Sequence, residues 1–181
     1  MFSIVIQRLI KFFIPTIRQI IIFNVLVIFN TSAHAQQQQY PRMTGYFSIT
    51  NPIATWNKDG ITTNFSDSYN VSFPFGLNLL KSDHFGVSFE VAPVIHIEKN
   101  IAKVSSVVFH PGAMFRFNHS FTFISRVAFE TNGRFGVTPV LNKVFIRNKD
   151  SFFFVAASFP ARFGNNLPTS LGSGIQLGVG F

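Results

Sequence analysis

Apolar and polar residues alternate with a period of two through most of the chain beyond residue 42. The last eleven residues show it most clearly: Leu171, Ser173, Ile175, Leu177, Val179 and Phe181 fall on one side, and Gly172, Gly174, Gln176, Gly178 and Gly180 on the other. A period of two sends successive side chains to opposite faces of an extended strand. The pattern repeats from Phe85 to Ile97, from Val107 to Phe117 and from Phe121 to Glu130, and in Val71 to Leu79 and Phe153 to Phe163. Met43 to Thr50 opens the series. Residues 137–147 alternate least cleanly, because either face must carry Asn142 or Lys143. Eight strands are predicted, at about 42–50, 70–80, 85–97, 106–117, 121–130, 137–147, 152–163 and 171–181.

The connections differ in an ordered way. Tight polar turns at 81–84, 118–120 and 148–151 alternate with longer connections at 51–69, 98–105, 131–136 and 164–170. An up-and-down antiparallel arrangement puts every second connection at the same end, so one rim carries short turns and the other loops. Alternation alone does not separate a closed membrane barrel from a soluble β-sandwich. Several predicted strands run 11 to 13 residues, closer to the ~9–11 of a tilted membrane strand than to the ~5–6 of globular sheets. The less apolar face is rich in Gly, Ser, Ala and Thr, not in the Lys and Glu of a solvated face. An eight-stranded lumen is only wide enough for its own side chains, which predicts that the phenylalanines face outward. The fold class expected is all-β: a closed up-and-down antiparallel transmembrane β-barrel of about eight strands.

Composition agrees. Only 12% of the 181 residues are charged, 25 are Phe and none is Cys, which fits neither a disordered chain nor a disulfide framework. The net charge of +8 comes from basic residues scattered singly, so nucleic acid is not expected as a partner. At the N-terminus, Arg8, Lys11 and Arg18 precede the apolar run Ile20 to Phe29, and Ala33-His34-Ala35 follows. This is the order of a secretory signal peptide with its small-residue cleavage site at Ala33 and Ala35. The run falls short of the ~20 residues of a spanning helix. The expected organisation is a signal peptide over 1–35, a flexible N-terminal segment over 36–41 and a barrel over 42–181. Without a cysteine at the junction the mature chain is expected to carry no lipid anchor.

Phe181, preceded by Val179, Leu177 and Ile175 at every second position, resembles the terminal strand signal that the barrel assembly machinery of Gram-negative bacteria reads in its substrates. With the signal peptide, 181 − 35 = 146 mature residues and eight strands, the chain is similar to the small outer-membrane barrels of the OmpX/OmpA-barrel class. Its Phe, Ile and Asn richness and Gln-rich mature start resemble barrels from Bacteroidota. The resemblance implies export through the Sec pathway, an outer-membrane location, and outer-membrane lipid and the assembly machinery as partners of a monomer.

On the inward face of such a barrel lie five charged residues, Glu90, Arg116, Arg126, Glu130 and Arg162. Unpaired charges away from water are costly, so mutual pairing is expected; it would close the lumen, the functional alternative being an ion path or gate. Catalytic signals are thin. His119-Ser120 is adjacent in sequence, and neighbours at a strand end point to opposite faces, whereas a nucleophile and its base must meet and be oriented by a third group. His96 and His110 share the inward face, but no carboxylate is placed to complete a metal site. No cofactor is expected. The connection 51–69, with Trp56, is the place for an extracellular ligand, or else seats Trp56 in an interfacial aromatic girdle. The sequence therefore predicts a non-catalytic barrel with a structural or surface-interaction role. The alternatives are a lipid A-modifying hydrolase or acyltransferase, and a secreted β-sandwich that binds an apolar ligand.

Overall fold

The computed structural model describes residues 40–65, 68–99 and 101–181. The expected signal peptide over 1–35, its cleavage site at Ala33 and Ala35, and residues 36–39 lie outside the described residues.

Among the described residues, eleven strands form one antiparallel sheet: β1 (Arg42–Asn57), β2 (Gly60–Thr63), β3 (Ser68–Ser72), β4 (Phe75–Leu80), β5 (Phe85–Glu98), β6 (Ile101–Arg116), β7 (Phe121–Glu130), β8 (Phe135–Arg147), β9 (Phe152–Ser158), β10 (Ala161–Phe163) and β11 (Ser170–Gly180). Two of the divisions are made by proline. β3 and β4 keep one register against β5, Ser72 opposite Val94 and Phe75 opposite Val91, on either side of Phe73-Pro74. β9 and β10 likewise keep one register against β11 across Phe159-Pro160. Proline has no N–H to give to the ladder, so hydrogen bonding lapses there while the strand runs on. With each pair counted as one strand and β2 set aside, eight strands remain. They close on themselves, because β1 pairs with β11 from Tyr46–Gly180 to Asn57–Ser170. Beyond that run, Gly45 and Phe181 exchange backbone hydrogen bonds of 2.9 and 3.0 Å.

The predicted strands recur, and their ends require correction. The connection expected at 98–105 is a tight turn between β5 and β6, with Lys99 at φ 48°. The connection expected at 51–69 is mostly strand: β1 runs on to Asn57 and forms a hairpin with β2, setting Trp56 opposite Ile61 on one side and Leu171 on the other. The cause is the same in both places. Register shifts between Pro52 and Ala54 on β1, and between Ile95–Val104 and Val94–Ser106 in the β5–β6 pair, insert Ile53 and Ser105 as extra residues. One inserted residue exchanges the two faces of everything beyond it, so alternation read straight through these points fails. A third bulge falls at Phe145, between Val144 and Ile146, while the polar pair Asn142 and Lys143 precedes it in regular register. Lys143 stands on the outward face there, its ammonium 4.2 Å from the centre of the Phe121 ring and hydrogen-bonded to His119 O at the rim.

The outward face carries Phe47, Phe75, Phe89, Phe109, Phe123, Phe129 and Phe153, all exposed. The inside is not uniformly small and polar, as the sequence pattern suggested. Towards the short turns it is plugged by Tyr46, Leu80, Met114, Ile124, Val140, Phe154 and Ala156. The glycines of β11 make the room, since a Cβ on Gly178 or Gly180 would overlap the Phe154 or Phe152 ring. Gly136 is under a harder constraint: a Cβ there would overlap the backbone carbonyl of Ala161 on β10, which cannot rotate away. Gly136→Ala is expected to destabilise the fold by about 1–3 kcal/mol, the usual range for forced overpacking. It should be read as a lower urea midpoint with unchanged slope; an unaltered midpoint would mean that β8 and β10 do not approach so closely.

Candidate functional site: a charged network and cavity inside the ring

Above the apolar plug, the strands present polar side chains to one another across the lumen. The β5–β6 register sets Glu90 directly opposite His110, and the β7–β8 register sets Arg126 opposite Thr138. Glu90 is 3% exposed and carries several donors. Tyr46 Oη donates to its Oε2 at 2.6 Å, His110 Nδ1 lies 2.9 Å from its Oε1, and Gln176 Nε2 donates to Oε2 at 3.4 Å. Arg126 Nη1 lies 3.5 Å from Oε2, while its Nη2 donates to Tyr46 Oη at 3.0 Å and to Ser88 Oγ at 3.2 Å. Gln176 also donates to Ser48 Oγ at 2.8 Å. Buried charge is tolerable where donors and acceptors are matched in this way.

A second ion pair adjoins the first. Arg162 Nε donates to Glu130 Oε1 at 2.6 Å, and Arg162 Nη1 donates to Thr138 Oγ1 at 3.0 Å. Arg162 Nη2 lies 3.1 Å from His110 Nε2, which links the two pairs through the imidazole. Four of the five inward charges read from the sequence, Glu90, Arg126, Glu130 and Arg162, thus form one connected chain.

Arg116 is elsewhere. It ends β6 at the short-turn rim, where its carbonyl lies 3.4 Å from His84 Nδ1. At the same rim Tyr40 Oη donates to Asp83 Oδ1 at 2.5 Å, a bond that only the neutral phenol can make and that raises its pKa above the ordinary 10.0.

His96 and His110 do not share a site. His96 pairs with Lys103 across the hairpin, and its ring contacts Asn70 Oδ1 at 2.9 Å. No group of three His, Cys, Asp or Glu residues is placed to hold a metal among the described residues. His119 and Ser120 sit in an exposed single 3-10 turn, both at positive φ.

Glu90, His110 and Thr138 fall in the order acid, imidazole, hydroxyl, with His110 Nε2 3.3 Å from Thr138 Oγ1. Such a relay needs that nitrogen free to take the hydroxyl proton. Here Arg162 holds the nitrogen and the hydroxyl together.

The pairing of Glu90 with His110 escaped sequence reasoning because it depends on one turn and one bulge. Pairing of Glu98 with Ile101 alone would set Glu90 opposite Phe109, and the extra residue Ser105 brings His110 to that place, whereas a loop at 98–105 separates the two. Tyr46, Ser88, Thr138 and Gln176, all inward on their strands, follow once that register is set.

No family model matches the chain, and no curated protein matches it. Among solved structures, a chain described as de novo design of transmembrane β-barrels is similar at TM-score 0.46 and 9% identity, covering 79% of this chain and 97% of its own. A solution NMR structure of the de novo designed TMB2.3 is similar at TM-score 0.39 and 12% identity, covering 77% and 96%.

Removing one partner of a buried charge pair costs about 3–5 kcal/mol. Glu90→Ala, which strands both Arg126 and His110, is expected to fall in that range by urea unfolding. Lys58→Ala at an exposed turn should stay within about 0.5 kcal/mol. Equal midpoints for the two variants would show that the network contributes nothing to stability.

Proposed function

We propose that this chain is a closed β-barrel that spans the outer membrane of a Gram-negative bacterium as a monomer, with a structural or surface-interaction role rather than a catalytic one. The observation that carries the reading is the inversion of polarity. Exposed Phe, Leu, Ile and Val face outward around the ring, while Glu90, Arg126 and His110 are buried within it. A water-soluble protein hides its large apolar side chains and leaves its charges outside. In hydrocarbon, every backbone polar group must be bonded within the structure, which a closed ring achieves and an open sheet does not. A soluble sandwich would have to bury the Phe-bearing face, and that face is exposed. The role at the surface falls to the rim formed by the end of β1, β2 and the start of β3, within 51–69. Resemblance to the OmpX/OmpA-barrel class, Sec export with cleavage after Ala35, and origin in Bacteroidota belong to the same proposal.

A barrel without free edges resists unfolding in SDS until heated. The protein is expected to partition with membranes after carbonate extraction, to migrate differently on SDS gels before and after boiling, and to pass no stable current in planar bilayers. Large, steady channels would contradict a plugged lumen, and full release by carbonate would contradict the membrane reading.

Phe181 tests the partner. Its ring covers Gly45 and its backbone bonds that residue on β1, yet the side chain stays largely exposed. Its loss should cost no more than about 1.5–3 kcal/mol of apolar burial. Deleting Phe181 is expected to leave refolding in detergent largely intact while sharply lowering insertion in cells, as loss of an assembly signal would. Normal outer-membrane levels of the deletion would remove the assembly machinery as a reader of this terminus.

A further inference from the structure

The lumen cavity of about 140 Å³ beside Glu90 is lined by charged groups that pair within the network, so the unpaired charge of the molecule lies elsewhere. It lies at the short-turn rim. Arg42 begins β1, Lys81 follows β4, Arg116 ends β6, Lys143 and Arg147 belong to the last part of β8, and Lys149 stands in the turn before β9. Against these six cations, spread around the ring, the same rim has two acids, Asp83 and Asp150, and Asp83 accepts from the Tyr40 phenol. The ion pairs formed among the described residues lie in the lumen or at the opposite rim, and none involves these six. At that opposite rim, by contrast, Lys99 has Glu98 at 3.9 Å, and Arg134 donates to Arg162 O, Pro168 O and Ser170 Oγ.

The unpaired cations border apolar surface. Met43, Phe117, Phe145 and Phe181 are exposed at the same end of the ring. Lys143 stands on the outward face with its ammonium 4.2 Å from the centre of the Phe121 ring, while Arg42, Lys81, Arg147 and Lys149 are exposed. Long basic side chains at such a border cover apolar surface with their stems and hold their charge on the polar side. A lipid offers the complement, hydrocarbon and phosphate in one molecule. A free anion or an acidic polymer would meet the charges and leave the phenyl rings in water. Near an anionic membrane surface each Lys or Arg strengthens the attraction about fivefold.

We propose that the short-turn rim is a binding surface for anionic phospholipids, their headgroups held by Arg42, Lys81, Lys143, Arg147 and Lys149 and their acyl chains against the phenylalanines below. The inference rests on the membrane reading and adds to it the charge of the headgroup and the rim that holds it.

The protein reconstituted into phosphatidylcholine vesicles, with a trace of spin-labelled phosphatidylglycerol or spin-labelled phosphatidylcholine, tests it by electron paramagnetic resonance, which reads the share of each label immobilised on the protein. Phosphatidylglycerol is expected to be preferred about fivefold or more, and the preference should fall towards parity in about 1 M salt. The combined variant Lys81→Gln, Arg147→Gln and Lys149→Gln should lose most of the preference. The combined variant Lys58→Gln, Lys99→Gln and Lys103→Gln, which removes equal charge from exposed positions at the opposite rim, should keep it. If the first variant does not fold, Lys149→Gln alone decides, with a partial loss that Lys58→Gln does not share. Insertion without preference overturns the proposal, and so does an equal loss in the two variants, which would make the preference an effect of net charge. Release of the protein from the vesicles by carbonate overturns the membrane reading and the proposal with it.

Discussion

Closure of β1 on β11 is the constraint from which the rest of the structure follows. Eight strands joined in a ring enclose a space that side chains can fill but that cannot take a large residue at every inward position. Each strand must therefore send its bulk outward and keep the inward positions small, or pair a large inward side chain with a glycine across the ladder. β11 takes the second course, where Gly178 and Gly180 receive the rings of Phe154 and Phe152. Both the exposed Phe and the glycine-rich last strand are products of that one geometric limit.

A closed sheet has no edge on which to place a proline, yet Pro93 and Pro139 lie in its strands, and Pro74 and Pro160 in the short breaks between β3 and β4 and between β9 and β10. Sheets ordinarily confine proline to edges and bulges. Here each proline still accepts across the ladder: Ser48 N–H bonds Pro74 O at 2.9 Å, Phe73 N–H bonds Pro93 O at 3.1 Å, Phe159 N–H bonds Pro139 O at 2.9 Å and Gly172 N–H bonds Pro160 O at 2.7 Å. Only the return bond is missing. The unbroken registers on either side of Pro74 and Pro160 hold the chain in line, so single missing donors interrupt the ladder without opening the ring.

Strand existence and facing were legible because alternation survives wherever the pairing is regular. The last strand, Phe85 to Ile95 and Phe121 to Glu130 have the faces that the sequence assigns them. Legibility stops at bulges. Ile53, Ser105 and Phe145 each add a residue that no local propensity announces, and beyond them the faces exchange. The run Phe152-Phe153-Phe154 carries no period of its own, and the alternation from Phe153 to Phe163 puts Phe153 outward and Phe154 inward, where Gly178 stands opposite it. The charged network was legible as a set of residues but not as a set of partners. Partnership depends on cross-strand register, and register between β5 and β6 depends on a short turn and on the extra residue Ser105, neither of which the polar residues at 99–106 reveal.

That dependence also runs the other way. A slip of β7 by one residue against its neighbours would reverse its faces, bringing Phe121, Phe123 and Phe129 into a lumen already filled by Phe154 and Tyr46, and sending Arg126 outward. In a bilayer an outward arginine near the midplane costs about 2–4 kcal/mol, and Glu90 would lose a buried counter-charge besides. The wrong register is thus opposed twice, by crowding inside and by charge outside. The hydrophobic face alone could not provide this, because outward-facing apolar side chains are nearly interchangeable along a strand. The network around Glu90, whose partners come from β1, β5, β6, β7 and β11, is the part of the molecule that distinguishes one alignment of the ring from the next.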